Sequence, residues 1–326
     1  QRMTEMAEHA EKEEAKAQEA GAEQEASPDD YYRDIRNVYS LIGVEPVEIE
    51  FGYSLIPLVD EASGGKVMNR IIIFRRQYAQ EMGLVIPSIR LRDSAALNTN
   101  QYRIKIRGEE VARGEILVDY YLALEPSEPS GEIDGIETIE PAYGIPSKWI
   151  LPENKEMAEI YGYTVIDPLS VMVTHLSETV RRHAYELLSR QETVQLAESL
   201  KKTAPELAED SIPGTVSYSL LQKILVSLLK EDIPIKDLET IVETASDCVT
   251  SGADFHNTVE HVRSALKRTI TRKFCHDGQM SVMTLDADLE RMMVENLVKG
   301  DSGVQISLNP DTVQNMINQL GTEMKK

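Results

Sequence analysis

The sequence predicts a multidomain α/β plus α protein: a discontinuous α/β first domain with a small α/β insert, a helical domain and a small C-terminal α/β domain. Three observations predict it. At 326 residues the chain exceeds the roughly 250–300 at which a single core stops growing. The stretch Val47–Asp93 reads as strand, helix, strand. From Ser189 the text turns almost wholly helical, and strand signals return only after Gly278.

Residues 1–45 are expected to be an acidic linker. Residues 1–30 hold ten acidic and three basic side chains among Ala and Gln, with no apolar stripe to bury. Ser27-Pro28 ends that run, because the residue before a proline is pushed out of the α region. Tyr31, Tyr32, Ile35, Val38, Tyr39 and Ile42 then recur at helix-face spacing, a short amphipathic piece that needs a surface. Its own domain and a neighbouring subunit both qualify.

Residues 46–118 with 168–187 form the expected first domain. Its helix carries Val67, Met68, Ile71, Ile72, Tyr78, Ala79 and Met82, and Gly83 suits its C-cap. Ile86–Arg92 reads as the second strand. Tyr102, Ile104 and Ile106 alternate with Arg103, Lys105 and Arg107, a half-buried strand with one cationic face. Gly108 and Gly114 bracket a turn, after which Glu115–Leu124 reads as one strand. Pro126, Pro129 and Gly131 mark a composition break, and residues 119–167 read as the insert. Within it Pro152 suits a first helical turn, Gly162 its end, and Tyr163–Ile166 a strand. A helix from Pro168 to about Leu188, apolar along Val171, Leu176, Val180, Ala184 and Leu187, closes the first domain if it packs back.

Residues 188–267 form the expected helical domain, with helices near 189–203, 215–231, 234–247 and 254–275. Ser189 with Glu192 makes a capping box. Residues 268–326 form the C-terminal domain, with a strand at Met280–Leu285 and helices near 286–299 and 310–321. Asn309-Pro310 is an N-cap and first-turn pair.

Composition narrows the function classes. A net charge of −21 argues against nucleic acid and anionic membrane surfaces as partners, since duplex binding draws on Lys and Arg releasing counterions. Two cysteines make no disulfide framework, which suits a reducing compartment. No apolar run approaches the roughly 18 residues of a membrane span. The chain begins at Gln1 in a charged segment, with neither signal peptide nor initiator Met, and is expected to be a piece of a longer one.

Chemical motifs fail on spacing. Ser63-Gly64-Gly65-Lys66 lacks the earlier Gly of a phosphate loop, Asp60 standing there, and Val67 replaces its Ser or Thr. Cys248, His256, His261, Cys275 and His276 match no closed metal site, so buried Cys and surface His are expected. Thr174-His175 are adjacent on a helix and point apart. Arg75-Arg76 reads as a solvated face, and Asp286 and Asp288 as first-turn helix acids. The residues therefore support a non-catalytic, cytoplasmic interaction protein with no cofactor and no metal.

The run FGYSLIPLVD, then NRIIIFRRQYAQEMGLVIPSIRLRD and YRIKIRG, resembles the type III export gate family of flagella and virulence injectisomes, the FHIPEP family. IEPAYGIPSKWI, GYTVIDPLSVMVTHLSETVRRHAYELLSRQE, ELAEDSIPGTVSYSLLQKILVSLLKEDIPIKDLETIVE and ALKRTIT extend the likeness collinearly over about residues 45–300, nearer the flagellar branch. The resemblance implies the cytoplasmic half of an integral inner-membrane protein, with residues 1–45 leading from the membrane half, which is its only link to the membrane. It implies a homo-nonameric ring that docks flagellar export chaperones with their substrates. The ring would meet the ATPase complex stalk and the companion gate protein, and take part in substrate-specificity switching. The alternative is a purely structural ring of an injectisome-type apparatus without chaperone recognition.

For the site, the resemblance implies a chaperone-binding dimple. Glu140-Pro141-Ala142-Tyr143 stands where the family has Asp-Pro-Ala-Phe, completed by Thr174 in VMVTHL, with Val171 and Ile166 as apolar lining. Glu reaches one methylene further than Asp, and Tyr adds a hydroxyl that needs a partner when buried. Gly52 matches the family's hinge glycine, and its permissive backbone angles are expected to let neighbouring domains reorient.

Overall fold

The computed structural model describes residues 42–59, 66–275, 277–280, 282–300 and 303–324. The linker of residues 1–30, the amphipathic stretch before Ile42 and the Ser63-Gly64-Gly65 turn lie outside them. The described chain is mixed α/β, with thirteen α-helices and three sheets among those residues. It divides into two compact units: one holds residues up to Ile56 with Ser88–Glu115, the other Pro57–Pro87 with residues from Ile116 onward.

The first unit is a four-stranded sheet of β1 (Val47–Phe51), β2 (Ile89–Asp93), β3 (Gln101–Ile106) and β4 (Glu109–Glu115), in the order β2-β1-β3-β4. β1 runs parallel to β2 and antiparallel to β3. Tyr102, Ile104 and Ile106 are buried, as the alternation requires. The cationic face is not free, however. Register sets Glu50 opposite Arg103 and Glu48 opposite Lys105. Arg103 and Lys105 both pair with Glu50, and Arg92 and Lys105 reach Glu48 at 3.4 and 3.6 Å. This is why both glutamates of β1 are buried. The β3–β4 hairpin turns at Arg107 and Gly108, both at positive φ (51° and 85°), the two-residue geometry that follows strand twist. Of the strand expected over Glu115–Leu124 only Glu115, the end of β4, and β5 (Tyr121–Leu124) are strand, and the stretch expected as a turn between Gly108 and Gly114 is β4 itself.

Burial would by itself raise the Glu50 carboxyl, but hydrogen bonds from Lys105 and Arg103 outweigh it and hold the group at about 2. A depressed folded value contributes stability above the unfolded value of about 4.3, and that stability is lost as pH falls from there through about 2. Acid unfolding should therefore show a limb on the order of 2 kcal/mol between about pH 5 and 2. In Glu50→Gln that limb should flatten; an unchanged acid profile would refute the assignment.

The second unit opens with the one-turn helix α1 (Ile56–Val59), whose first residue still belongs to the first, and then α2 (Val67–Met82). Val67, Ile71, Phe74, Tyr78 and Met82 form the buried face of α2; Ile72, expected there, is 56% exposed because it lies 100° round from Ile71. Gly83 caps the helix in the left-handed region (φ 77°), and a Cβ there would strike the backbone of Lys236. The Ile235 N–H donates to the Met82 carbonyl at 2.7 Å, tying this end to the helical section. Arg75, expected as solvated, donates to the Ile86 carbonyl at 2.9 Å.

Next comes an antiparallel sheet of β5, β6 (Ile136–Ile139), β7 (Pro146–Ile150) and β8 (Thr164–Ile166), in the order β6-β7-β5-β8. Ala123, Ile133, Ile150, Ala158 and Tyr163 form its core, with Ala158 on α3 (Lys155–Ile160). α4 (Pro168–Arg182) follows directly from β8 and packs against α2. Asp167 caps it by accepting from Ser170 N–H at 3.0 Å, and Pro168 fills the first turn.

The helix expected to reach Leu188 breaks at His183, giving the one-turn α5 (Ala184–Leu187). Then come α6 (Arg190–Thr203), α7 (Pro205–Ser211), α8 (Tyr218–Lys230), α9 (Leu238–Thr250), α10 (Phe255–Ala265) and α11 (Lys267–Phe274). The short α7 has no clear apolar period and is additional to the expected helices. Ser189 caps α6 through Glu192 N–H, as the capping box predicts. The expected helix 254–275 is two helices divided at Leu266. No strand occurs among the described residues of Met280–Leu285. The strands at this end are β9 (Leu297–Gly300) and β10 (Gly303–Ile306), between α12 (Ala287–Glu295) and α13 (Pro310–Glu323). Asn309 caps α13, as expected.

Candidate functional site

Between β6 and β7 the chain reverses over Glu140–Gly144, and here an aromatic side chain stands at the surface. The Glu140 N–H donates to the Ile145 carbonyl at 2.8 Å, and the Gly144 N–H to the Glu140 carbonyl at 2.9 Å. Gly144 lies at φ 72°, a left-handed conformation open to glycine. The Glu140 carboxylate accepts from the N–H groups of Ala142 (3.0 Å) and Tyr143 (2.7 Å) and is 3% exposed. Expected in the chaperone-binding dimple, Glu140 folds onto its own turn and satisfies two backbone donors that burial would otherwise leave unpaired. Tyr143 is thereby set outward and is 59% exposed.

The helix α4 braces this turn from one side. The Arg182 guanidinium donates to the Ala142 carbonyl at 2.8 Å. Burial first, and then the Glu178 carboxylate on α4, raise the Tyr143 phenol above its ordinary range. His175 is buried on the same helix. Burial lowers its pKa, Glu140 works against that and Arg182 with it, so the imidazole is neutral at neutral pH.

Of the expected site residues, the structure brings Glu140 and Tyr143 together with α4, which carries Val171 and Thr174. Val171 is core; Thr174 is half-buried, and its neighbour His175 turns inward, as adjacent helix residues must. Ile166 is half-buried at the end of β8, just before the Asp167 cap. Sequence reasoning missed Glu178 and Arg182. Their signal is spacing: they follow Thr174 by four and eight residues, along one stripe of the helix.

Replacing Glu140 by glutamine sets an amide NH2 against one of the two backbone donors. Hydrogen exchange at Ala142 or Tyr143 should rise about tenfold in Glu140→Gln, a loss of roughly 1.4 kcal/mol from one charge-assisted bond. Unchanged exchange at both amides would show that the carboxylate does not hold the turn.

Gly52 belongs to the first unit. Its backbone is extended (φ −71°, ψ 162°), available to any residue, so the conformational freedom expected of it is not in use. What requires glycine is proximity: a Cβ would lie 2.0 Å from the Asn98 carbonyl oxygen and 2.6 Å from that of Thr99. The same loop is bonded to it, the Gly52 N–H donating to Gln101 and the Ser54 N–H to Thr99.

Among the described residues, no cluster of three or more His, Cys, Asp or Glu could hold a metal ion, and no helix is long and apolar enough to cross a membrane.

The signature of the FHIPEP family matches residues 1–326. The chain is 41% identical over 305 residues to the flagellar biosynthesis protein FlhA of Bacillus subtilis, covering 93% of this chain and 45% of that protein. It is 38% identical over 261 residues to FlhA of Escherichia coli, covering 80% and 38%. It thus spans less than half the length of these relatives. Among solved structures, the CdsV protein of Chlamydia pneumoniae superposes with a TM-score of 0.76 at 28% identity, covering 86% of this chain and 83% of that one. With its full length matched by the family signature and most of it aligned to these relatives, the chain belongs to the FHIPEP family.

Proposed function

We propose that this chain is the cytoplasmic docking platform of a flagellar-type protein export gate, where export chaperones deliver their substrates. The observation that carries the reading is Tyr143, a surface aromatic on a turn held by Glu140 and Arg182. An exposed aromatic on a rigid support suits the apolar face of an amphipathic helix, because little ordering entropy is lost on binding. The half-buried Thr174 and Ile166 complete the proposed surface; Val171, expected to line it, is 1% exposed and belongs to the core instead.

In this reading the chain works at the inner face of the bacterial cell membrane, as part of an integral membrane protein. It assembles as a nine-membered ring, by analogy with the nonameric EPEC SctV-C, whose fold it shares. The complex of CdsV with CdsO supports engagement of other export components. The ATPase complex stalk and the companion gate protein are proposed as such partners, and switching of substrate specificity as an outcome. Reorientation about Gly52 is proposed as a contribution to that switching. No catalytic residue, cofactor or metal enters this function.

The second reading is a structural ring of an injectisome-type apparatus that recognises no chaperone. A pull-down of chaperone–substrate complexes by the full chain and by its Tyr143 variant separates the two. Capture by the wild type alone supports docking; capture by neither supports the structural ring, and equal capture by both overturns the assigned surface.

A further inference from the structure

We infer that the open edge of β6 is a second contact of the docking surface, pairing backbone to backbone with an extended, apolar and basic segment of the export substrate that a chaperone brings to Tyr143. The inference deepens the docking reading above and rests on it. β6 is an outer strand of its sheet and runs straight into the Glu140–Gly144 turn. Register fixes which of its backbone groups are open. The Glu140 N–H donates to the Ile145 carbonyl, so these two form a bonded pair, while the Pro146 carbonyl turns to the β5 side and accepts from the Glu125 N–H at 3.0 Å. Ile139, opposite Pro146, is therefore in a non-bonded pair, and by antiparallel alternation so is Glu137, opposite Lys148. The N–H and carbonyl groups of Glu137 and Ile139 point away from β7, and no hydrogen bond among the described residues reaches them.

Exposed edges are usually blunted by charge, proline, a bulge or brevity. β2 carries Arg90, Arg92 and Asp93, the pairing of β4 with β3 skips Val111, and β8 has three residues. β6 has only Glu137, and it leaves Ile136 52% and Ile139 67% exposed, on opposite faces of the sheet. An added strand would lay one apolar side chain beside each. The rim sets the charge of that strand. Asp134 and Glu137 are exposed and have no ion-pair partner among the described residues, and Glu132 lies 3.8 Å from Lys148. A second copy, with its own net charge of −21, brings like charge to this rim, whereas basic residues are drawn to it. A helix, the form suited to Tyr143, spends its backbone groups on itself and cannot pair with an edge. The occupant is thus an extended segment of the delivered substrate rather than a chaperone helix.

The test is amide hydrogen exchange of the full chain, free and saturated with a flagellar filament-type chaperone, either empty or loaded with its substrate. In the free chain the Glu137 and Ile139 amides should exchange fast and those of Ile136 and Thr138 slowly. The loaded complex should slow Glu137 and Ile139 by about tenfold or more, the worth of one or two backbone hydrogen bonds, and the empty chaperone should not. By calorimetry, Glu137→Pro removes one outward N–H at an edge position that tolerates proline and should weaken the loaded complex about tenfold. Glu137→Ala keeps that N–H and should stay within about threefold, the effect of one exposed charge. Thermal unfolding checks that the proline variant is folded; if it is not, exchange in the wild-type chain decides alone. Slow exchange of Glu137 and Ile139 in the free chain, or protection that grows with chain concentration, means that the edge is covered by this chain or a second copy, and overturns the inference. If Tyr143→Ala abolishes binding but the loaded complex leaves β6 unprotected, or the empty chaperone protects it equally, this inference fails and docking stands. If Tyr143→Ala binds like wild type, the docking surface itself is wrong.

Discussion

Replacing Tyr143 by alanine should weaken binding of a filament-type chaperone–substrate complex by roughly 30- to 100-fold, the loss typical of a buried aromatic anchor at an interface. The folded chain should hardly notice. The side chain is 59% exposed, so little of its surface is packed within the protein. A surface change of this kind usually alters stability by no more than about 0.5 kcal/mol. The turn keeps its shape because it depends on the Tyr143 N–H, which alanine retains, and on the Ala142 carbonyl bound by Arg182. Tyr143→Phe keeps the ring and should lose far less. Calorimetry alongside thermal unfolding checks both halves: unchanged affinity sinks the site, and a large fall in melting temperature would mean that Tyr143 is a packing residue.

In Gly52→Ala the first unit should lose about 3 kcal/mol, toward the upper range for overpacked positions. The new methyl has nowhere to go. At 2.0 Å from the Asn98 oxygen and 2.8 Å from the Thr99 carbonyl carbon it meets backbone, which cannot rotate away as a side-chain tip can. Relief requires residues 98–101 to withdraw, breaking the bonds from Gly52 N–H to Gln101 and from Ser54 N–H to Thr99, at 2.8 and 3.0 Å. Faster amide exchange across β1 and residues 94–101, with an earlier urea midpoint, is the expected signature. A hinge role makes a different demand: Gly52→Ala should change interdomain spacing by solution scattering across several temperatures. A variant of normal stability and normal scattering would leave Gly52 with neither role.

Secondary structure is legible wherever local chemistry decides it. The capping residues Ser189 and Asn309, the Gly83 C-cap and the Tyr102–Ile106 alternation all appear where the sequence puts them. The failures share a cause. Glu115–Leu124 reads as one strand, yet strand forms only where distant partners are within reach: Glu115 pairs with β3, Tyr121–Leu124 with β7 and β8, and residues 116–120 with neither. Met280–Leu285 has strand composition without a strand partner among the described residues, and composition cannot supply one. Ile72 departs from the expected buried face because apolar neighbours at adjacent positions cannot both lie on one stripe, and spacing alone does not say which turns outward.

The site shows the same division. The family resemblance, the Glu-Pro-Ala-Tyr segment and the helix bearing Thr174 are legible because they reside in short-range spacing and in collinear motifs. What each charge faces is decided in the folded chain. It turned Glu140 inward to two amides, brought Arg182 to the Ala142 carbonyl, and set Gly52 against the carbonyls of Asn98 and Thr99. The physical reason is that a carboxylate or a missing Cβ carries no direction in the sequence. Its role is set by whichever donor or backbone lies within about 3 Å, and for Arg182 and Gly52 those groups sit some 40 to 50 residues away along the chain.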